Sequence, residues 1–199
     1  MAEEIYLIMN KPAGYVCSAV SDSHKTVYQL LTQEMQQQVQ GAKRGHRLHT
    51  IGRLDCNTSG LLLFTTDGQF SHEVSTSSTT GISKTYLATL NTPVAVAEQQ
   101  NYISQAAAGL TLPAEKKFAE QKAKPASLHF INLNCCQITV SEGKFHEVRR
   151  IFRALGNEVS ELKRIAIGGL TLPQDLLPGQ WRPLSEAEKA SLYFHQQDC

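Results

Sequence analysis

Gly52-Arg53-Leu54-Asp55-Cys56-Asn57-Thr58-Ser59-Gly60 runs directly into Leu61-Leu62-Leu63-Phe64-Thr65 and then the turn pair Asp67-Gly68. A short apolar run bounded by polar and glycine-containing segments is the pattern of a strand buried on both faces. A loop that enters such a strand is held still by it, and catalytic groups are often mounted on loops of this kind. Asp55 lies on the loop, two residues after Arg53. Taken alone, an aspartate near a glycine is an Asx-type turn former that accepts from local backbone donors. Its chemical weight comes from the rest of the chain.

Upstream, Ile5 to Met9 reads as a strand ended by the turn residues of Lys11-Pro12-Ala13-Gly14. Val27, Leu30 and Leu31 have helical spacing, which predicts a helix from Thr26 to about Met35 with Thr26 as N-cap. Gln36-Gln37-Gln38 and the segment from Gly41 to Arg47 contain little to bury and are predicted to form a mobile loop. Downstream, helical turns are expected over Gln69 to Ser75, a strand over Tyr86 to Leu90, and a helix opened by Pro93 and running to about Ala108. Strands follow near Ser127 to Leu133 and Gln137 to Val140. Phe145, Val148, Phe152 and Leu155 then form the apolar stripe of a helix on which Arg149 and Arg153 share a face. Ser185 with Glu188 three residues later is a capping box that begins a last helix. Irregular alternation of strands and helices, with hairpin-like turns at Asp67-Gly68 and Glu142-Gly143, predicts an α+β fold with a mixed, mostly antiparallel sheet. With no repeat and no proline-rich linker, residues 1–199 are expected to form a single domain without a firm internal boundary.

Composition narrows the classes. At 199 residues and 41% hydrophobic content the chain can bury a substantial core. No run reaches transmembrane length and Met1-Ala2-Glu3-Glu4 is no signal peptide, so a cytoplasmic protein away from the membrane is expected. The five cysteines show no C-x-x-C spacing and read as reduced packing residues, with Cys135 and Cys136 on opposite faces of a strand. His46 and His49 on a basic loop read as phosphate or solvent contacts rather than metal ligands. A net charge of +1 requires any nucleic-acid surface to come from clustering. Fourteen of the nineteen basic residues do cluster: Lys43, Arg44, Arg47 and Arg53; Lys116, Lys117, Lys122 and Lys124; and Lys144, Arg149, Arg150, Arg153, Lys163 and Arg164. The middle group reads as a solvated face.

The loop from Gly52 to Gly60 resembles the signature loop of the RNA pseudouridine synthases, more narrowly of the RsuA family. The resemblance continues through Asn10-Lys11-Pro12-Ala13-Gly14, Lys84-Thr85-Tyr86, Glu142-Gly143-Lys144-Phe145-His146-Glu147-Val148-Arg149-Arg150 and Arg164-Ile165-Ala166-Ile167-Gly168-Gly169-Leu170. These blocks cover nearly the whole chain in family order. The resemblance implies the pseudouridine synthase fold, with two halves flanking an active-site cleft. It also implies isomerisation of a uridine within ribosomal RNA: the bond from ribose C1′ to N1 breaks, uracil turns, and C5 joins C1′. No cofactor and no metal are implied. Asp55 matches the essential carboxylate, acting as nucleophile or base; an adjacent arginine would favour its charged form. Arg149 matches the basic partner of that carboxylate, with Arg150 second in rank, and Tyr86 matches the tyrosine that stacks on the target base. Arg53 matches the residue that fills the space of the flipped uridine. Arg44, Arg47, Lys11, Lys144, Arg150 and Arg153 are expected RNA contacts.

Two departures stand out. Glu147 occupies a position where the family pattern has glutamine, and a carboxylate there competes with Asp55 for Arg149. The blocks also start within ten residues of Met1, so no separate N-terminal RNA-binding domain is expected. Substrate recognition then falls to the catalytic domain or to a ribosomal subunit assembly intermediate, with the chain acting as a monomer. The segment from Gly168 to Leu172 and that from Pro178 to Leu184 favour the small-subunit branch, whereas Asn57-Thr58-Ser59-Gly60 is equally like the large-subunit branch. Two rivals are weaker. A glycoside or nucleoside hydrolase needs a second carboxylate, for which Asp67 in its turn is the near candidate. A non-catalytic RNA-binding module would place no demand on Asp55.

Overall fold

The computed structural model describes residues 3–40, 46–76 and 80–194, with Gln40 described by its backbone alone. The chain divides into two compact units, residues 1–82 with 166–199, and residues 83–165.

In the first unit β1 (Tyr6–Lys11) is followed by the short parallel pair β2 (Tyr15–Val16) and β3 (Lys25–Thr26). The predicted helix from Thr26 is instead one 3-10 turn, Val27–Leu30, and α1 runs over Gln33–Gln40. The glutamine run expected to be a mobile loop is therefore helical. Leu31 in extended conformation separates the two elements, Thr32 then provides both Oγ1 for Met35 N and its carbonyl for Gln36 N, and glutamine, glutamate and methionine are good helix formers. The basic residues Lys43 and Arg44 lie outside the described residues.

β4 (His49–Ile51) leads through the Asp55 loop into β5 (Thr58–Thr65). β5 pairs antiparallel with β1 and β4, and β1 with β13 (Trp181–Pro183), so β1 and β5 are interior strands. Leu61, Leu62, Leu63 and Phe64 are all fully buried, as a continuous apolar run requires. Leu61 and Leu63 pack with Ile8, Ile51, Val74, Ile82 and Ile167 on one face, and Phe64 meets Tyr28 edge-on at 5.6 Å on the other. Asp67-Gly68 is not a hairpin turn. Asp67 caps α2 (Gly68–Ser75), its Oδ1 accepting from Gln69 N and Phe70 N, because an acidic side chain before a helix meets the unpaired N–H groups there. The capping box is present at α5, the last helix of the chain (Glu186–Ser191).

The second unit contains β6 (Lys84–Leu90), α3 (Val96–Ala108), the antiparallel pair β7 (Thr111–Leu112) and β8 (Gln121–Lys122), β9 (Ser127–Phe130), β10 (Cys135–Val140), α4 (Glu147–Ala154) and β11 (Val159–Ile167). Its strands lie in the order β11-β6-β10-β9, with β10 antiparallel to both neighbours. The last two residues of β11, Ala166 and Ile167, belong to the first unit and pair there with β12 (Leu170–Thr171). Val148, Ile151 and Phe152 of α4 join Ala88, Leu90, Ile138 and Leu162 in the core of this unit. Glu142-Gly143 is a strand-to-helix loop rather than a hairpin turn, because the chain enters α4 four residues later. The pairings make a mixed, mostly antiparallel arrangement, as the sequence pattern predicts.

Candidate active site

The Asp55 loop is anchored from beneath. Lys11 ends β1 opposite Gly60 of β5 and is fully buried. Its Nζ donates to the carbonyl oxygens of Thr58 at 2.7 Å, Pro12 at 3.1 Å, and Asp55 and Cys56 at 3.2 Å each. A buried ammonium needs such a ring of acceptors, and here most of that ring is the loop backbone. Two further clamps hold the loop: Cys17 Sγ lies 3.4 Å from both N and O of Leu54, and Gly14 N donates to Cys56 O at 2.7 Å. A tight turn closes from Thr58 N to Asp55 O at 3.0 Å, and Gly52 enters the loop at φ +67°. Asp55 is half-buried at the end of this fixed loop, and Arg53 is exposed. Lys11 is thus no phosphate contact: the residue expected to meet RNA is the pin of the Asp55 loop.

Asp67, the candidate second carboxylate of a hydrolase, is committed to structure. Its Oδ1 caps α2 and its Oδ2 accepts from Tyr6 Oη at 2.9 Å. The Phe70 N–H, together with Tyr6 and Gln69, holds its carboxyl below the usual range despite partial burial.

Tyr86 and Arg149 belong to the second unit. Tyr86 is half-buried on β6, opposite Ile138 of β10 and packed against the core of that unit. Arg149, half-buried on the first turn of α4, donates from Nη1 to Val159 O at 2.9 Å. Arg150 is fully buried, with Nε and Nη2 donating to Pro113 O and Ala119 O at 2.9 Å each and Nη1 to Phe145 O at 3.3 Å. It is neither an RNA contact nor a substitute for Arg149, because its three donor groups hold main chain. Arg153 bridges Glu115 at 2.9 Å and Glu158 at 3.1 Å. Lys144 pairs with Glu142. Most of the third basic group is therefore engaged within the unit, whereas Arg47 in the first unit is exposed.

One group of buried charges escapes sequence inspection. Lys84, Glu147 and Arg164 are 7%, 7% and 2% exposed. Burial, and then the charge of Arg164, pushes the Lys84 ammonium down to about 8, against the pull of Glu147. Burial and Glu142 push the Glu147 carboxyl up to about 7, against the Lys144 N–H and the charges of Lys144 and Lys84. Burial thus favours the neutral form of Glu147 over the charged one. Lys84 shares a strand face with Tyr86, and its position two residues before that tyrosine is the signal by which alternation could have found it.

The pattern of residues extends to known proteins. The family model described as RNA pseudouridylate synthase matches residues 5–154. The ribosomal small subunit pseudouridine synthase A of Escherichia coli (strain K12) is 44% identical over 187 residues, 94% of this chain and 73% of that protein. Its counterpart in Haemophilus influenzae is 39% identical over 183 residues, 92% of this chain and 71% of that protein. A solved pseudouridylate synthase superposes with a TM-score of 0.81 at 38% identity, covering 96% of this chain and 75% of that one. Agreement in motif order, fold and sequence over nine-tenths of its length makes this chain a member of the RNA pseudouridine synthase family.

Proposed function

We propose that this enzyme converts a uridine of small-subunit ribosomal RNA to pseudouridine, with Asp55 as the carboxylate that acts on the ribose. The observation that carries the role of Asp55 is the loop anchor: a buried lysine and two further contacts fix the backbone of one half-buried aspartate. Fixing a reacting group before substrate arrives removes that ordering cost from the barrier. The small-subunit target is supported by the relatives named above, which carry that activity in their names. In the reaction C1′–N1 is broken, the uracil is turned and C5 is joined to C1′, so that the C5 proton is lost and N1 gains one. Tyr86 is assigned to the base and Arg149 to the carboxylate. The uridine must be unstacked to react, at a cost of roughly a few kcal/mol that phosphate contacts offset. Ribosomal RNA, free or in a subunit assembly intermediate, is the proposed partner, and a cytoplasmic monomer is the proposed working form.

The test is to map pseudouridine in both ribosomal RNAs from cells lacking the gene and restored with wild type or with Asp55→Asn. One small-subunit site should vanish and return with wild type alone, while purified Asp55→Asn keeps its RNA affinity within about twofold, since the carboxylate contributes to the transition state rather than to binding. An active Asp55→Asn variant, or a lost site in large-subunit RNA, would overturn the corresponding part of the reading.

A further inference from the structure

The turn from Glu115 to Phe118 carries two consecutive exposed lysines over a stack of three rings. Phe118 and Phe145 stack with centroids 4.1 Å apart at 12°, and Phe145 and His146 with centroids 3.8 Å apart at 17°. Phe145 is the middle ring, so the stack ends in His146, tied to Glu115, on one side and in Phe118, on the turn that carries the two lysines, on the other. Lys117 Nζ lies 5.8 Å from the centroid of Phe118 and Lys116 Nζ 5.9 Å from that of Phe145.

The turn is built rather than merely exposed. Buried Arg150 donates to Pro113 O on one side of it and Ala119 O on the other. Glu115 Oε1 lies 2.9 Å from His146 Nδ1, and its Oε2 accepts from Arg153 at 2.9 Å. Glu115 and Phe118 exchange main-chain hydrogen bonds at 2.9 Å each. Within this frame Lys116 takes φ +52°, a conformation that a lysine adopts only when its surroundings impose it. Of the neighbouring lysines, Lys122 donates from Nζ to Gly109 O at 2.7 Å, whereas Lys124 is exposed and it is its main-chain N that donates to Glu142. The acid of the turn, Glu115, is likewise occupied by His146 and Arg153. The tip therefore presents positive charge beside an aromatic face, on a segment whose ordering entropy is already spent.

We infer that Lys116, Lys117 and Phe118 form an RNA contact, the lysines on backbone phosphates and the outer face of Phe118 beneath an unpaired base. Single-stranded RNA is held by this combination of stacking platform and cationic rim. The inference rests on the proposed function for its ligand and extends it to a basic group that, as a charge run alone, reads as a solvated face. His146 is the N-cap of α4, three residues before Arg149, so the platform adjoins the helix that carries a candidate catalytic residue.

The experiment measures binding of protein-free small-subunit ribosomal RNA, and of an oligouridylate of about ten nucleotides, as a function of salt. Lys116→Ala/Lys117→Ala should weaken both about tenfold and flatten the salt slope by about 1.4, the share of two phosphates on a single strand. Its melting temperature and kcat should be unchanged and its KM raised. Phe118→Trp in a Trp181→Phe background should show indole fluorescence quenched by the oligouridylate. Unchanged affinity and slope in the folded double lysine variant would overturn the proposal, as would an indole indifferent to RNA. Weaker binding to ribosomal particles with normal binding to free RNA would make the patch a protein contact and also overturn it. If wild type forms no pseudouridine in small-subunit RNA, the proposed function fails on its own, and the affinity comparison still judges the platform.

Discussion

Lys11 shows how far a residue's role depends on where its chain direction is fixed. In the sequence it is a lysine beside Pro12 in a motif block, and a surface cation is the ordinary reading. In the fold it is fully buried and donates to carbonyls of its own turn and of the Asp55 loop. Lys11→Met keeps the length and loses the ammonium, leaving buried carbonyl oxygens unpaired. The expected cost is on the order of 3 kcal/mol in unfolding free energy, with kcat lowered more than RNA affinity because the loop loses its anchor. Denaturant unfolding and single-turnover rates check both halves; a variant of wild-type stability would show that the loop is held by other contacts. Arg150 makes the same point, since adjacent arginines on α4 divide between a half-buried position and complete burial. Nothing in the pair Arg149-Arg150 indicates which is which, because helical rotation of about 100° per residue decides it only once the buried face is known.

At the scale of elements, the long and strongly patterned segments were legible. The apolar run of β5, the strand beginning the chain and the capping box of α5 all lie where their patterns put them. Short segments were not, since Val27, Leu30 and Leu31 satisfy a helical period as well as a single 3-10 turn. Likewise, Asp67-Gly68 serves a helix cap as readily as a hairpin. On α4, Glu147 faces Lys84, Lys144 and Glu142, and burial raises its carboxyl to about 7 from an ordinary 4.5. A raised carboxyl contributes stability that is fully present below about 4.5 and lost as pH rises through about 7. Glu147→Gln has no charge to desolvate at any pH. It should match wild type near pH 5 and exceed it by on the order of 2 kcal/mol at pH 8. Unfolding curves at the two pH values measure this, and a difference independent of pH would mean that Glu147 is paired as an anion.

For the whole molecule the question is how a chain of net charge +1 holds a polyanion. The fold spends much of its basic content internally: Lys11, Arg150 and Arg164 are buried, and Arg153 and Arg182 pair with carboxylates. Among the described residues of the basic groups named here, Arg47, Arg53, Lys116, Lys117, Lys122, Lys124 and Arg153 are exposed, Arg153 in ion pairs with Glu115 and Glu158. With the six exposed cations outside carboxylate pairs on phosphate, RNA binding should show a salt slope of about 4 to 5, against about 10 if all three basic clusters met phosphate. Titrations over a range of salt decide between them, and the steeper slope would show that the internal pairs open on binding. The order of the motif blocks by itself determined the family and the reaction class and singled out Asp55 as the carboxylate proposed to act on the ribose, because chemistry demands particular residue types at particular places along the chain. Which cations face solvent, which anchor a loop and which carboxyl is held near neutrality was decided only by tertiary structure, since burial and partnership depend on residues far apart in sequence.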